Sequence, residues 1–102
     1  MAISLESLTL DDFAPYLHQE FIIYLQNGEP YALELVELRD LGAAPGPTFR
    51  KPFAMTLRNP NNAAYLPQGT YQLEHEHMGS LELFIVPLGP SPEGMQYEIT
   101  FG

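Results

Sequence analysis

The sequence has 102 residues, 45% of them hydrophobic and 17% charged, which fits a single folded domain and excludes a disordered chain. Thirteen acidic and four basic side chains give a net charge of −9, so we expect neither nucleic acid nor an anionic membrane surface as a partner, because both would repel the chain. The absence of cysteine excludes disulfides, thiolate metal sites and cysteine nucleophiles.

The N-terminal residues predict a short helix and no targeting signal. Residues 1–6 lack a basic segment and a sustained apolar run, and no part of the sequence approaches the roughly 20 apolar residues of a membrane-spanning helix. We therefore expect a cytoplasmic location, with leaderless export left open. Over 7–13, Thr9 is placed to cap a helix whose first turn is acidic, as the helix dipole favours, and Pro15 should end that helix within a turn or two.

Two strands joined by a tight turn come next. Residues 20–26 and 30–40 are strand-like, and Asn27-Gly28 between them is typical of a hairpin with a type I′ turn. In the second strand, Leu33 and Leu35 share one face, whereas Val36 and Leu38 have the opposite parity. A β-bulge near 35–36 would return all four side chains to the core, and bulges help small sheets to close.

Alternating apolar residues predict four more strands after a loop over 41–52 that is rich in proline and glycine. Further turns are predicted at 59–62, at Met78-Gly79 and at 89–94. No repeat or linker divides the chain, so residues 1–102 should form one β domain. Short strands spaced by about ten residues indicate a mainly β fold, a six-stranded antiparallel barrel or sandwich with a short N-terminal helix, and the bulge favours the barrel. The inward-facing residues should be Phe53, Met55, Leu57, Tyr71, Leu73, Leu81, Leu83, Ile85, Tyr97, Ile99 and Phe101.

Some apolar residues alternate with the predicted core and therefore face outward. They are Ile22 and Tyr24 in the first strand, and Phe84 and Val86 in the fifth. Either a second layer covers these faces or they contact another chain. We expect a protein partner, or self-association, at these four residues.

One histidine pair resembles a metal site. On a strand, His75 and His77 would share a face and could hold Zn²⁺, Ni²⁺ or Cu²⁺, with His18 or a carboxylate as a further ligand. The simpler interpretation places His75 at the edge of the core and His77 in solvent.

The remaining chemistry does not indicate an enzyme. Glu74, Glu76 and Glu82 fall on outward faces of a predicted hairpin, where solvated charge is commoner than acid–base catalysis. The serines lack a nucleophile-elbow sequence, and no glycine-rich loop precedes a helix as phosphate binding requires. We therefore expect no enzymatic activity and no cofactor.

Four sets of segments carry a family resemblance. They are 8–14, 28–30 with 33–37, 66–71 with 73–75, and 83–87 with Tyr97-Glu98, of which Gln68-Gly69-Thr70-Tyr71 is the most specific. Over about 8–101 the sequence resembles a family of small bacterial proteins of unknown function. The family has no assigned activity, cofactor or catalytic residues, so the resemblance implies no site. Some members are encoded near phage-tail-collar-like proteins, which implies a role in a tail-like or surface assembly.

The sequence thus favours a non-enzymatic structural or protein-interaction module. The alternative is a small ligand- or metal-binding barrel that uses His75 and His77.

Overall fold

Six antiparallel strands close into a barrel in the computed structural model, which describes residues 8–42, 52–60 and 65–101. The predicted fold class is confirmed, and of its two forms the barrel is the one observed. Most of the predicted loop over 41–52 and half of the turn at 59–62 lie outside the described residues. The elements are α1 (Leu10–Phe13), a 3₁₀ turn (Ala14–Tyr16), β1 (Glu20–Tyr24), β2 (Pro30–Asp40), β3 (Phe53–Asn59), β4 (Gly69–His75), β5 (Gly79–Ser91) and β6 (Gly94–Phe101).

The short N-terminal helix forms as predicted and closes one end of the barrel. Thr9 is its N-cap, and the Asp12 carboxylate accepts a hydrogen bond from the Thr9 backbone N–H at 2.8 Å. The 3₁₀ turn that follows contains Pro15. Phe13 is fully buried, and its ring packs against three rings of the barrel, those of Phe21, Phe53 and Phe101, at centroid distances of 6.3, 5.9 and 5.5 Å. Phe13 therefore acts as an aromatic plug.

The first hairpin forms, but the predicted type I′ turn is wrong. Of the two turn residues, only Gly28 has a positive φ (85°), whereas a type I′ turn requires a positive φ at Asn27 as well. Gly28 N–H donates to the Leu25 carbonyl at 2.8 Å, and Leu25 N–H donates to the Glu29 carbonyl at 2.9 Å, which makes a three-residue loop. The Asn27 side chain instead accepts a hydrogen bond from Glu29 N–H at 3.0 Å, so asparagine stabilises the turn without entering the left-handed region.

The predicted bulge in β2 is confirmed. Leu35 pairs with Leu57 and Glu37 with Thr56, so Val36 is the extra residue. Leu33 and Leu35 are fully buried, and Leu38 packs against the core. The expectation that Val36 joins them is wrong, because the bulged residue itself stays on the half-buried outer face.

The later turns differ slightly from the prediction. β4 ends at His75, which pairs with Gly79, so the second turn spans 76–78. β5 continues to Ser91, beyond the predicted start of the last turn at 89, because Ser91 still pairs with Gly94. A register shift between Pro87 and Gly89 makes a second bulge.

The barrel consists of two three-stranded meanders, in the order β1-β2-β3-β6-β5-β4. β3 and β6 join the meanders along their full length, from Phe53 opposite Phe101 to Asn59 opposite Met95. β1 and β4 join them at a single ladder pair, Ile22 opposite Glu74. We call the first joint the spine and the second the seam.

The barrel interior holds the predicted core, except that Tyr71 is half-buried and packs against this core rather than inside it. At its polar edge, the hydroxyls of Tyr31 and Tyr97 lie 2.6 Å apart, and Tyr97 accepts a hydrogen bond from Leu66 N–H at 2.8 Å. Burial, and then the hydrogen bond with Tyr97, raise the pKa of Tyr31. The buried residues of the core include Leu33, Leu35, Phe53, Met55, Leu57, Leu73, Leu81, Leu83, Ile85, Tyr97, Ile99 and Phe101.

Neither helical segment among the described residues has the length and apolar character needed to cross a bilayer.

Candidate functional site

His75 ends β4 inside the seam, where all its hydrogen-bonding atoms have partners. The residue is only 6% exposed. Its Nδ1 accepts hydrogen bonds from the backbone N–H groups of His77 and Met78 at 3.1 and 3.3 Å. Nδ1 is therefore unprotonated, so Nε2 carries the proton and donates a hydrogen bond to Gln19 Oε1 at 2.9 Å. The neutral ring thus holds the 76–78 turn and also connects β4 to the residue preceding β1.

Aromatic rings enclose this imidazole. Tyr16 and Phe21 each lie 4.6 Å from it, centroid to centroid. Tyr16 also stacks on His77 at 6.0 Å, so the 3₁₀ turn covers the seam. Burial, and secondarily the nearby His77, lower the pKa of His75, while Glu76 acts in the opposite direction.

This lowered pKa predicts an acid-sensitive contribution to stability. Between the native pKa and the ordinary value of 6.5, the unfolded chain binds more protons than the native chain at this site, so stability should fall as pH drops below 6.5. His75→Phe keeps a ring but cannot titrate or accept the two N–H groups. Near pH 7.5 it should be less stable than the parent by roughly 1–3 kcal/mol. Urea unfolding at a series of pH values should show that difference shrinking on acidification; a constant difference would contradict this role.

The second histidine does not share a strand face with the first. Because β4 ends at His75, His77 lies in the turn, with its side chain 61% exposed and its Nε2 3.3 Å from Glu76 Oε1. The two imidazole centroids are 5.8 Å apart. His18, the suggested third ligand, has an exposed side chain whose Nδ1 lies 3.3 Å from Glu34. Across the described ranges, no three histidine or carboxylate side chains come together as metal ligands would.

The three carboxylates considered for catalysis lie on the outer surface. Glu74 is half-buried and accepts a hydrogen bond from Ser80 Oγ at 2.6 Å, whereas Glu76 and Glu82 are exposed. In the part of the chain that the structure describes, no enclosed pocket holds two of these carboxylates in different environments, as acid–base catalysis by a carboxylate pair would need.

The four predicted contact residues do face outward. Tyr24 is 58% and Phe84 50% exposed, while Ile22 and Val86 are half-buried. They form two pairs on β1 and β5, and β4 lies between these strands. Leu88, the extra residue of the β5 bulge, is a further exposed apolar side chain of this strand, at 51%.

Two surface grooves flank these faces. The first follows the seam, encloses about 380 Å³ and is lined by Gln19, Glu20, Ile22, Glu74, His75 and Glu76. The second, of about 510 Å³, has one residue of each bulge in its lining, and the Arg39 guanidinium in it pairs with Glu98. Its lining residues are Val36, Glu37, Arg39, Thr56, Leu88, Gln96 and Glu98.

A family model for a domain of unknown function, DUF6916, matches residues 8–101, nearly the whole chain. The chain belongs to the DUF6916 family. The resemblance inferred from the sequence to an uncharacterised domain family is thereby confirmed. No curated protein and no solved structure matches this DUF6916 domain.

Sequence reasoning missed the residues that build the seam of the DUF6916 domain. Gln19 and Tyr16 are polar or aromatic residues in the connection before β1, and nothing local indicates that they meet His75 from β4. Glu20 was assigned only to a strand. A buried tyrosine hydroxyl needs a hydrogen-bond partner, so a partner for Tyr97 could be expected, but the sequence does not identify it as Tyr31.

Proposed function

We propose that this DUF6916 domain is a non-enzymatic interaction module that binds a protein partner, or a second copy of itself, through the outer faces of β1 and β5. The observation that carries the proposal is the exposure of Tyr24 and Phe84 on those faces. Tyrosine and phenylalanine are enriched at protein interfaces and supply much of their binding energy.

The way the other described elements pack supports this proposal. The barrel uses its interior as the core, and the α1 helix is committed to the barrel end through Phe13. Among the described residues, no second layer lies over Tyr24 or Phe84, which keeps both available. The tail-like or surface assembly implied by the family resemblance is the setting we propose.

Capture of a partner from a native lysate, after crosslinking and mass spectrometry, tests the proposal. The variant Tyr24→Ser/Phe84→Ser should capture at least about tenfold less partner than the parent protein, because hot-spot aromatics carry most interface energy. Leu41→Ser is the control. Leu41 is 47% exposed and follows β2, which lies three strands from β5 in the barrel order. Light scattering on the same variants reports self-association. If the aromatic variant captures as much partner and self-associates as strongly as the parent, the proposal is overturned.

The competing proposal is a metal- or ligand-binding barrel that uses His75 and His77. The 5.8 Å between their rings favours it, but a metal on Nδ1 of His75 would have to displace two backbone hydrogen bonds. Calorimetric titration with Zn²⁺ and Ni²⁺ separates the two proposals, since only a metal site gives heat that His77→Ala abolishes.

A further inference from the structure

The two exposed aromatic residues of the proposed interface lie on one continuous face of three neighbouring strands. β4 lies between β1 and β5. The seam register places Tyr24 beside Gln72 of β4, and Thr70 of β4 lies opposite Phe84. The two rings are therefore separated by two strand spacings and one side-chain step, about 12 Å. We call this surface the contact face, and its residues are Ile22, Tyr24, Thr70, Gln72, Phe84 and Val86.

The centre of the contact face carries no charge. Thr70 and Gln72, between the two rings, are exposed and uncharged. Exposed aromatic rings around an uncharged centre match the core of a protein interface, where charged residues are depleted. An interface of standard size covers about 800 Å² on each partner, so a single partner can contact both rings.

Carboxylates form the rim of the contact face. Glu82 precedes Phe84 by two residues on β5 and therefore points to the same side. Glu20 has the same relation to Ile22 on β1, and Glu74 lies opposite Ile22 across the seam. Each apolar part of the face thus borders at least one carboxylate.

The rim has no basic residue to compensate it. β1, β4 and β5 contain neither lysine nor arginine. The arginines that the structure describes lie on β2 and β3, where Arg39 pairs with Glu98 and Arg58 with Glu34. Within the described ranges, neither Glu20 nor Glu82 forms an ion pair. Compensating charge therefore has to come from a partner.

This charge distribution opposes the pairing of two copies through the contact face. A two-fold dimer uses the same patch on both subunits. It would bring Glu20, Glu74 and Glu82 of each copy into one interface, with no lysine or arginine from these strands of either copy. Like charges across an interface oppose association, and the net charge of −9 repels a second copy before contact.

We propose that the contact face binds a different protein, whose surface combines an apolar centre with lysine or arginine at its rim, and that a second copy of this chain does not occupy it. This inference rests on the proposed function, since it names the chemistry of the partner for the same site. The apolar centre of the partner covers Tyr24 and Phe84, and its basic rim faces the carboxylates. Because Glu20 and Glu82 are exposed, affinity should fall with added salt.

Titration of the isotope-labelled protein with three model peptides, followed by NMR at low ionic strength, tests the proposal. The first peptide has four central leucines with two lysines on each side. The second replaces each lysine with glutamate, and the third replaces each leucine with serine and keeps the charge. We expect the lysine–leucine peptide to shift amide signals of β1, β4 and β5, and each of the other two to bind at least about tenfold more weakly.

Matched charge variants of the protein locate the binding. Glu20→Gln/Glu82→Gln should weaken binding of the lysine–leucine peptide about three- to tenfold, from two lost exposed ion pairs. Glu37→Gln/Glu93→Gln makes the same change in net charge on β2 and in the turn between β5 and β6, and should alter affinity by less than about twofold. All four side chains are exposed, so both variants should keep the parental circular dichroism spectrum.

Sedimentation equilibrium tests the exclusion of a second copy. The parent protein should be a monomer at the concentrations of the titration. A parent dimer that Tyr24→Ser/Phe84→Ser dissociates would overturn the proposal, because a second copy would then occupy the contact face. The proposed function would stand in that case, in its self-association form.

Three peptide results would also overturn the proposal. They are no binding of the lysine–leucine peptide, equal binding of the glutamate or serine peptide, and equal weakening by the two charge variants. The lysate experiment is read separately. If capture depends on the aromatic residues while the lysine–leucine peptide fails to bind, this proposal falls and the proposed function stands. If capture and self-association also fail, both fall.

Discussion

Gly94→Ala should destabilise the barrel by about 3–5 kcal/mol, a large part of the stability of a small domain. Gly94 has a φ of 136°, in the region that favours glycine. An added Cβ would also overlap the Asn59 carbonyl oxygen and lie 2.7 Å from Pro60 Cα, and both are backbone atoms that cannot rotate away. Urea unfolding followed by circular dichroism measures the loss.

Gly89→Ala is the matched control for this experiment. Gly89 has a similar φ of 122°, but an added Cβ there meets no atom within 4 Å. It should therefore cost only the conformational strain, about 1–3 kcal/mol. Equal losses in the two variants would show that residues 59 and 60 move aside at little cost, and would contradict the close approach of β6 to the end of β3.

Phe13→Ala should cost about 3–5 kcal/mol, because it removes the ring that closes one end of the barrel. The side chain is fully buried against three other aromatic rings, and the cavity left would be lined by Phe21, Phe53 and Phe101. Alanine favours helix, so the loss would not come from helix propensity. Urea unfolding gives the magnitude, and near-ultraviolet circular dichroism reports the lost aromatic packing.

Leu17→Ala provides the comparison within the same N-terminal segment. Leu17 is 38% exposed and follows the 3₁₀ turn, so its truncation should cost less than about 1 kcal/mol. If Phe13→Ala were as mild as Leu17→Ala, the helix would be an accessory rather than part of the core.

Local pattern determined much of the fold. Period-two alternation identified all six strands, and the change of parity between Leu35 and Val36 identified the bulge because one extra residue restores inward facing. Thr9 and the following aspartates predicted the helix start for an equally local reason, the unsatisfied N–H groups of the first turn.

The features that sequence could not supply depend on contacts between distant segments. Barrel closure requires β1 to meet β4, and no turn encodes that register. The type of the turn at Asn27-Gly28 was predicted wrongly because asparagine can stabilise a turn in two ways, with a left-handed backbone or with a side-chain hydrogen bond. Only the folded geometry selects one of them.

The candidate site was predicted less well than the fold. The residues Ile22, Tyr24, Phe84 and Val86 were correctly assigned to outer faces, because alternation fixes the face of each strand. The role of His75 as a link across the seam was not predicted, since it depends on Gln19, 56 residues away in sequence.

The unequal joints between the meanders have a consequence for partial unfolding. The seam pair brings together residues 22 and 74 and gains little pairing in return for closing a long loop, whereas the spine pairs over seven positions of each strand. Separation of β1 from β4, with the spine intact, should therefore be the least costly sub-global opening. Two molecules opened in this way could pair β1 of each with β4 of the other, so a dimer would form through the seam and leave each spine within one chain.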